Sequence, residues 1–199
     1  MPTLNNLAER AGTGDEEVPP GDFAVDTAVW PDPTVTGRYH ANLSEAWKVF
    51  YAFGGCSMAV ALRAAQHAVG RPDLTPRLAS AVFAAPVKCG PLVVDTEVLR
   101  VGRAVAQATA KLRSAGAATG STDMHLTAVF GRELESSATF VDTEWPADAL
   151  SVADSIVPMP PAFNYAQQVE CRIGMPGFDS PTGTPGVPVR HGRSHGTVW

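Results

Sequence analysis

The sequence predicts an α+β fold in which a single helix lies against an antiparallel sheet. Two observations lead to this prediction. Residues 53–69 carry apolar side chains at helical spacing, and a glycine pair opens the stretch. Four strand-like runs follow between residues 78 and 130, with no second helical pattern between them. Because short turns join these runs, we expect neighbouring strands to pair antiparallel.

The predicted helix at residues 53–69 has an apolar stripe made mostly of alanine, so the surface that packs against it can approach closely. Gly54 and Gly55 leave backbone N–H groups uncovered at the positive end of the helix dipole. Gly70, Arg71 and Pro72 end the helix. The stripe consists of Met58, Ala61, Leu62, Ala65 and Val69.

The chain before the helix predicts a hairpin. Residues 23–30 place side chains in the alternating pattern of a strand, and the Pro-Asp-Pro sequence at residues 31–33 ends it. Residues 37–43 form a second short strand that pairs with the first. Residues 44–51 are predicted to be irregular or to form one helical turn, which carries three aromatic side chains to the start of the helix.

The chain after the helix predicts strands at residues 78–88, 92–103, 105–113 and 122–130. Pro86, near the end of the first of them, indicates an edge strand or a bulge. The side chains expected to face the helix are Ala79, Ala81, Phe83, Ala85 and Val87 in the first strand, Ala106, Ala108, Ala110 and Leu112 in the third, and Met124, Leu126, Ala128 and Phe130 in the fourth.

The 199 residues have room for one domain and part of a second. We expect a flexible arm in residues 1–22, a domain in residues 23–133 and a proline-containing linker in residues 134–162. Residues 163–199 are expected to be the incomplete start of a second domain, opening with a strand at residues 163–173.

Composition excludes several classes of function. The net charge of −5, without a basic cluster, argues against nucleic acid as a partner. No apolar run is long enough for a transmembrane helix, and the N-terminus lacks the pattern of a signal peptide. The spacing of Cys56, Cys89 and Cys171 predicts neither a disulfide framework nor a metal site. We therefore expect a protein of the reducing cytoplasm.

Four sequence motifs occur in a characteristic order. Gly54-Gly55 precedes Ala61-Leu62-x-Ala64-Ala65 in the helix, and residues 79–86 are a strand that ends in proline. Arg100-Val101-Gly102-Arg103 is a turn between strands, and residues 126–130 are a closing strand. In this order the motifs resemble the hotdog-fold acyl-CoA thioesterases of the double-hotdog thioesterase II group. Residues 169–172 and the final Val-Trp also resemble the entry to the second hotdog domain.

The resemblance implies an antiparallel sheet wrapped around one central helix, and hydrolysis of fatty or short-chain acyl-CoA thioesters in lipid metabolism. It implies no cofactor, and it implies a homodimer or pairing with another hotdog domain, since a lone domain leaves one sheet edge open. The thioesterase II group carries its catalytic carboxylate in the second domain's helix, which this chain does not reach. Other hotdog thioesterases place an Asp or Glu on the central helix, and this helix has neither. The alternative is therefore a non-catalytic acyl-CoA-binding module or a truncated half.

Thioester hydrolysis needs fixed donors for the developing oxyanion and a base for water. The backbone amides of Gly55 and Cys56 are our candidates for the oxyanion hole. The glycines have a structural alternative, which is close passage of the sheet across the helix. Candidate substrate-binding residues are Phe53, Gly54, Met58, His40 and Asn42, together with Arg100 and Arg103, because a guanidinium presents a fork that matches phosphate oxygens. An exposed strand face explains His40 and Asn42 equally well, and a solvated turn is the more common role of such arginines.

Two further patterns allow more than one interpretation. Cys56 at a helix start has the position of a nucleophile, but packing is the more common role of a cysteine in such a stretch. Asp123 and His125 lie two residues apart, as in an acid–histidine dyad of a hydratase. Hydratase relatives of the fold, however, carry their Asp and His around the central helix, which has no such pattern here.

Overall fold

The computed structural model describes residues 20–118, 120–133 and 163–169. The described strands form one six-stranded antiparallel sheet in the order β1-β2-β4-β5-β6-β3. The elements are α1 (Phe23–Asp26), β1 (Trp30–Pro31), β2 (Arg38–Leu43), a 3-10 helix (Glu45–Trp47), α2 (Gly54–Val69), β3 (Thr75–Phe83), β4 (Gly90–Val101), β5 (Val105–Ser114), β6 (Met124–Gly131) and α3 (Asn164–Gln168).

Helix α2 lies across the inner face of the sheet, mainly against β4 and β5 and less against β6. Strand β3 follows the helix in the chain but pairs only with β6, so it forms one edge of the sheet. This arrangement confirms the predicted α+β hotdog architecture, in which an antiparallel sheet wraps around a central helix.

The packing of α2 depends on its small side chains. Val60, Ala61, Ala64 and Ala65 are fully buried, and they face the alanine-rich inner side of β5. The predicted stripe was therefore partly wrong, because Met58 and Leu62 are only half-buried while Cys56, Ser57, Val60 and Ala64 are buried. The sheet comes closest over the smaller residues, and the longer side chains lie at the margin of the contact.

The predicted end of α2 is confirmed. Gly70 adopts a φ of 63°, the left-handed conformation that favours glycine, and its N–H donates to the carbonyl of Gln66. The inner faces predicted for β5 and β6 are also confirmed, because every side chain in both predicted sets is fully buried. Alternation with period two therefore identified the core side of these strands.

The strand after the helix was predicted at residues 78–88, but β3 covers Thr75–Phe83. It ends early because the N–H groups of Ala84 and Ala85 both donate to the carbonyl of Asp123, which turns the chain away from β6. Ala79, Ala81 and Phe83 do pair opposite buried residues of β6, as an inward position requires. Ala85, Pro86 and Val87 lie beyond the strand, and a bulge between Pro76 and Leu78 marks its beginning.

The strand predicted at residues 23–30 was wrong for most of its length. The side chain of Asp22 accepts hydrogen bonds from the N–H groups of Ala24 and Val25, at 2.9 and 3.1 Å, and this cap begins helix α1. Only Trp30 and Pro31 form a strand, which pairs with β2 as the predicted hairpin does. The single helical turn expected in residues 44–51 is present as the 3-10 helix.

The strand predicted at residues 163–173 was also wrong where the chain is described, because Asn164–Gln168 form helix α3. The predictions for residues 1–19, 134–162 and 170–199 lie outside the described residues. Among the described helices, none combines the length and the apolar character that a bilayer crossing requires.

Candidate functional site

The first turn of α2 leaves two backbone donors that meet no acceptor in the part of the chain that the structure describes. The N–H groups of Cys56 and Ser57 both donate to the carbonyl of Phe53, at 3.0 and 3.1 Å. Within the described part of the chain, the N–H groups of Gly54 and Gly55 meet no acceptor, and no side chain caps the helix. Of the two amides considered for an oxyanion hole, that of Gly55 is therefore available, whereas that of Cys56 already has a partner.

Close contacts also leave little room for a side chain at either glycine. A Cβ on Gly54 would lie 3.3 Å from Cζ of Phe83, at the end of β3. A Cβ on Gly55 would lie 2.9 Å from Cε1 of Phe53, closer than such atoms approach one another. Gly54 and Gly55 therefore combine both roles considered from the sequence: they let neighbouring groups approach closely, and their amides meet no acceptor among the described residues.

An open cavity of about 490 Å³ lies beside this helix start. Its floor is Gly54, and its walls come from the segment before α2 and the segment after β3. The lining is mostly apolar and includes no acidic side chain. The lining residues are Tyr51, Ala52, Gly54, Phe83, Ala84, Ala85, Pro86 and Val87.

A buried hydrogen-bond network holds the wall formed by residues 84–87. Asp123 is only 8% exposed, and its carboxylate accepts from both the N–H and the hydroxyl of Ser114, each at 2.7 Å. The Ser114 hydroxyl oxygen in turn accepts from the N–H of Lys88 at 3.0 Å. Because the Asp123 carbonyl also receives the amides of Ala84 and Ala85, this residue ties the wall to the ends of β5 and β6.

The sequence suggested a different role for Asp123, as the acid of a dyad with His125. The structure commits the Asp123 carboxylate to Ser114, whereas His125 is exposed. No local sequence signal could have identified this network, since it depends on the register of two strands.

Cys56 does not have the properties of an activated nucleophile. Its side chain is 2% exposed, and burial raises the pKa of its thiol to about 11, with smaller contributions from Cys89 and Asp26. A thiol with this pKa is protonated at neutral pH, and the thiolate is the reactive form. This favours the packing interpretation of Cys56.

Arg100 and Arg103 lie together but far from the helix start. They line a cavity of about 260 Å³ at the β4–β5 turn, with Gln107 as the other polar side chain. Neither forms an ion pair with a described residue. Arg71, just beyond the end of α2, donates to the carbonyls of Gly102 and Arg103. Since α2 has 16 residues and spans about 24 Å, this turn lies at the opposite end of the helix from Gly54.

His40 and Asn42 alternate along β2 with Ala41 and Leu43, which are buried in the core. Their side chains therefore lie on the outer face of the sheet. Nε2 of His40 is 2.8 Å from Oδ2 of Asp32. Hydrogen bonds from Thr34 and then from His40 hold the pKa of the Asp32 carboxyl well below its usual range.

Of the candidate residues, the structure thus brings together Phe53, Gly54 and Gly55, with Met58 one turn further along the helix. One carboxylate that the sequence did not suggest interacts with Cys56 but does not line the cavity. Asp26, on helix α1, accepts a hydrogen bond from Nε1 of Trp47 at 2.8 Å, and its charge raises the pKa of Cys56. It escaped notice because residues 23–30 were predicted to form a strand. Within the described ranges, no three metal-binding side chains group together.

Comparison with known proteins places this geometry in a family. The model of the acyl-CoA thioesterase N-terminal domain matches residues 43–131. Among curated proteins, no sequence matches this chain.

Two solved structures are similar. One, from Alicyclobacillus acidocaldarius, is a protein of unknown function with a hotdog fold. It is 26% identical, with a TM-score of 0.54 over 76% of this chain and 54% of that one. The other is a candidate thioesterase II from Thermobifida fusca, 23% identical, with a TM-score of 0.59 over 79% of this chain and 56% of that one. The chain thus spans a little over half the length of these relatives. Residues 43–131 thus match an acyl-CoA thioesterase domain, and the fold is the hotdog fold that the motifs predicted.

Proposed function

We propose that this chain binds an acyl-CoA thioester with the thioester carbonyl oxygen at the free amides of Gly54 and Gly55. The observation that carries the proposal is a pair of N–H groups that meet no acceptor among the described residues and lie beside an apolar cavity. Backbone donors at a helix start are fixed before the reaction, and they stabilise the negative charge that develops on the oxygen. The apolar walls suit the fatty or short-chain acyl group of the substrate.

Hydrolysis also needs a base that activates water. The first turn of α2 contains no acidic residue, and neither does the lining of the cavity. In our proposal, the carboxylate of a thioesterase reaction comes from a part of the protein outside this domain. The second candidate is binding without hydrolysis, and the same absence of an acidic group from the site favours it.

We further propose that a second copy of this chain, or another hotdog domain, pairs with edge strand β3. The strand carries exposed apolar side chains, among them Leu78, Val82 and Phe83, and a sheet edge with such side chains favours association. Antiparallel pairing of β3 with its copy would reverse the direction of the partner. The Arg100–Arg103 turn of one copy and the helix start of the other would then lie at the same end of the joined sheet. This arrangement would allow the two arginines to serve CoA phosphates.

We place this activity in the cytoplasm and in lipid metabolism. Cys56 and Cys89 are free, as is usual for proteins of a reducing compartment.

The test combines a panel of acyl-CoAs of increasing chain length with a reagent that detects released CoA thiol. Thermal unfolding is followed with the same ligands, and size exclusion measures the oligomeric state. Release of thiol supports the thioesterase. A raised melting temperature without release supports the binding module. Neither effect with any acyl-CoA would reject both functions, and a clean monomer at high concentration would reject the pairing.

A further inference from the structure

A short segment from much later in the chain lies against the start of α2. In residues 163–169, the ring of Tyr165 stacks on the ring of Phe53, with centroids 4.0 Å apart and planes inclined by 17°. Phe163 meets Phe50 edge-on, with centroids 5.1 Å apart. Phe53 is the residue that precedes the glycine pair, so the segment contacts the candidate site directly.

Hydrogen bonds hold this segment in place. They join the backbone or side chains of helix α3 to the 3-10 helix region and to the chain before α1. The bonds run from the Tyr165 N–H to the Lys48 carbonyl (3.0 Å), from Nδ2 of Asn164 to the Glu45 carbonyl (2.9 Å) and from the Gly21 N–H to Oε1 of Gln168 (2.7 Å). Hydrogen bonds of Asn164 and Gln168, which flank Tyr165 in the chain, therefore hold the Tyr165 ring in place.

Phe53 connects this segment to the free amides. The Cδ1–Cε1 side of its ring faces Gly55, where an added Cβ would lie 3.3 Å from Cδ1 and 2.9 Å from Cε1. Its carbonyl accepts the amides of Cys56 and Ser57 and so begins the helix. Since Tyr165 covers a face of the same ring, Phe53 cannot turn away from Gly55 without losing the stack.

Two consecutive glycines are the most mobile backbone that a chain can place at a helix start. Donors that stabilise an oxyanion must, however, be held in a fixed direction. The ring of Phe53 restricts the movement of the Gly55 backbone on one side, and the ring of Tyr165 restricts the movement of the Phe53 ring.

We propose that Tyr165 is a positioning residue for the acyl-CoA site, which acts through Phe53 to fix the direction of the Gly54 and Gly55 amides. The catalytic role of this restraint rests on the proposed function. The restraint of the first turn of α2 by the aromatic stack does not depend on that function.

The test compares Tyr165→Phe, Tyr165→Leu and Tyr165→Ala in the full chain. Amide hydrogen exchange measured by NMR reports on the first turn, with octanoyl-CoA hydrolysis and binding measured in parallel. In Tyr165→Ala we expect exchange at the Cys56 and Ser57 amides, which donate to the Phe53 carbonyl, to rise about tenfold while Ala61 and Ala65 stay unchanged. The Phe variant retains the stack and should stay within about twofold of wild type. The Leu variant retains apolar bulk without a flat ring and should fall between the other two.

For the substrate, we expect kcat, or the octanoyl-CoA affinity if there is no turnover, to fall about tenfold in Tyr165→Ala. We expect little change in KM for octanoyl-CoA where turnover is measured, because the lost restraint concerns the oxyanion donors. Phe163→Ala serves as the matched control, since it removes the contact with Phe50 but leaves the Phe53 ring untouched.

Unchanged exchange at Cys56 and Ser57 in Tyr165→Ala overturns the proposal. An effect of Phe163→Ala as large as that of Tyr165→Ala overturns it as well, and so do equal values for Tyr165→Leu and Tyr165→Phe. If the wild type neither binds nor hydrolyses octanoyl-CoA, the proposed function fails for this ligand. The exchange measurements then decide the role of Tyr165 alone.

Discussion

The two ends of helix α2 are built in opposite ways. At the C-terminal end of the helix, the N–H of Gly70 donates to the carbonyl of Gln66. Arg71 donates to the carbonyls of the neighbouring β4–β5 turn. Arg71 also pairs with Asp73, so the region is polar and internally bonded.

At its start, the helix has no side-chain cap, and the amides of Gly54 and Gly55 meet no acceptor among the described residues. The surroundings are aromatic and apolar rather than charged. Every helix leaves backbone N–H groups without intrahelical partners at its start, and such groups can bind an anionic oxygen. The difference between the ends supports our proposal that the ligand binds at the start of the helix.

The largest effect is expected from removal of a donor at the helix start. Gly55→Pro lacks the amide hydrogen, whereas Gly55→Ala retains it and adds a Cβ at the same place. Because loss of one oxyanion donor typically lowers turnover by about 100-fold, we expect that deficit in kcat/KM for Gly55→Pro relative to Gly55→Ala. Acyl-CoA hydrolysis, or affinity where hydrolysis is absent, measures it after both variants are shown to fold. Equal values for the two variants would refute a role for this amide.

The wall beside the helix start should depend on Asp123. Asp123→Ala leaves the buried amide and hydroxyl of Ser114 without their acceptor, so we expect unfolding free energy to fall by about 2 to 3 kcal/mol. Urea unfolding monitored by Trp fluorescence measures this change. Asp73→Ala is the control at the other end of the helix, where exposed ion pairs contribute little. If Asp73→Ala lost as much unfolding free energy as Asp123→Ala, the proposed difference between the two ends of the helix would be wrong.

The charged turn should matter only for ligands that carry phosphates. We expect Arg100→Ala together with Arg103→Ala to raise KM for an acyl-CoA by about fivefold, because each guanidinium forms charge-assisted bonds with phosphate. For the same acyl group on N-acetylcysteamine, which has no phosphates, the double variant should have the KM of the wild type. An equal effect on both thioesters would show that the arginines act through the fold instead.

Cys56→Ala should have the smallest effect on turnover, within about twofold of wild type, because a protonated thiol is a poor nucleophile. Burial raises the pKa of the Cys56 thiol from 9.0 to about 11. Between these two values the unfolded chain releases a proton that the folded chain keeps, so stability falls as the pH rises through this window. Below pH 9.0 the contribution of the buried, protonated Cys56 thiol to stability is fully present.

Unfolding free energies at pH 8 and pH 11 test this sign, and Cys56→Ala should lose less stability between them than the wild type does. Burial also raises the pKa of Cys89 to about 11, so Cys89→Ala is measured alongside. A turnover loss of several orders of magnitude in Cys56→Ala would restore the nucleophile hypothesis.

Much of the fold could be predicted from local patterns. Alternation identified the buried sides of β5 and β6, and glycines marked both ends of α2. The failures came where a local bond outweighed a pattern, as when the Asp22 side chain capped α1 within a stretch that alternates like a strand. At the site, Gly54 and Gly55 were found from the sequence, whereas Tyr165 and Asp123 were not.

The sequence by itself determined the central helix and the four strands that follow it, where this helix begins, and that it carries no carboxylate. These properties depend on side-chain periodicity and on backbone preferences between near neighbours in the chain. Only the tertiary structure decided that Arg100 lies at the far end of α2 from Gly54, that Asp123 holds the cavity wall, and that Tyr165 reaches Phe53. Such contacts depend on the order and register of strands, which the hydrophobic core selects as a whole, and no local pattern encodes them.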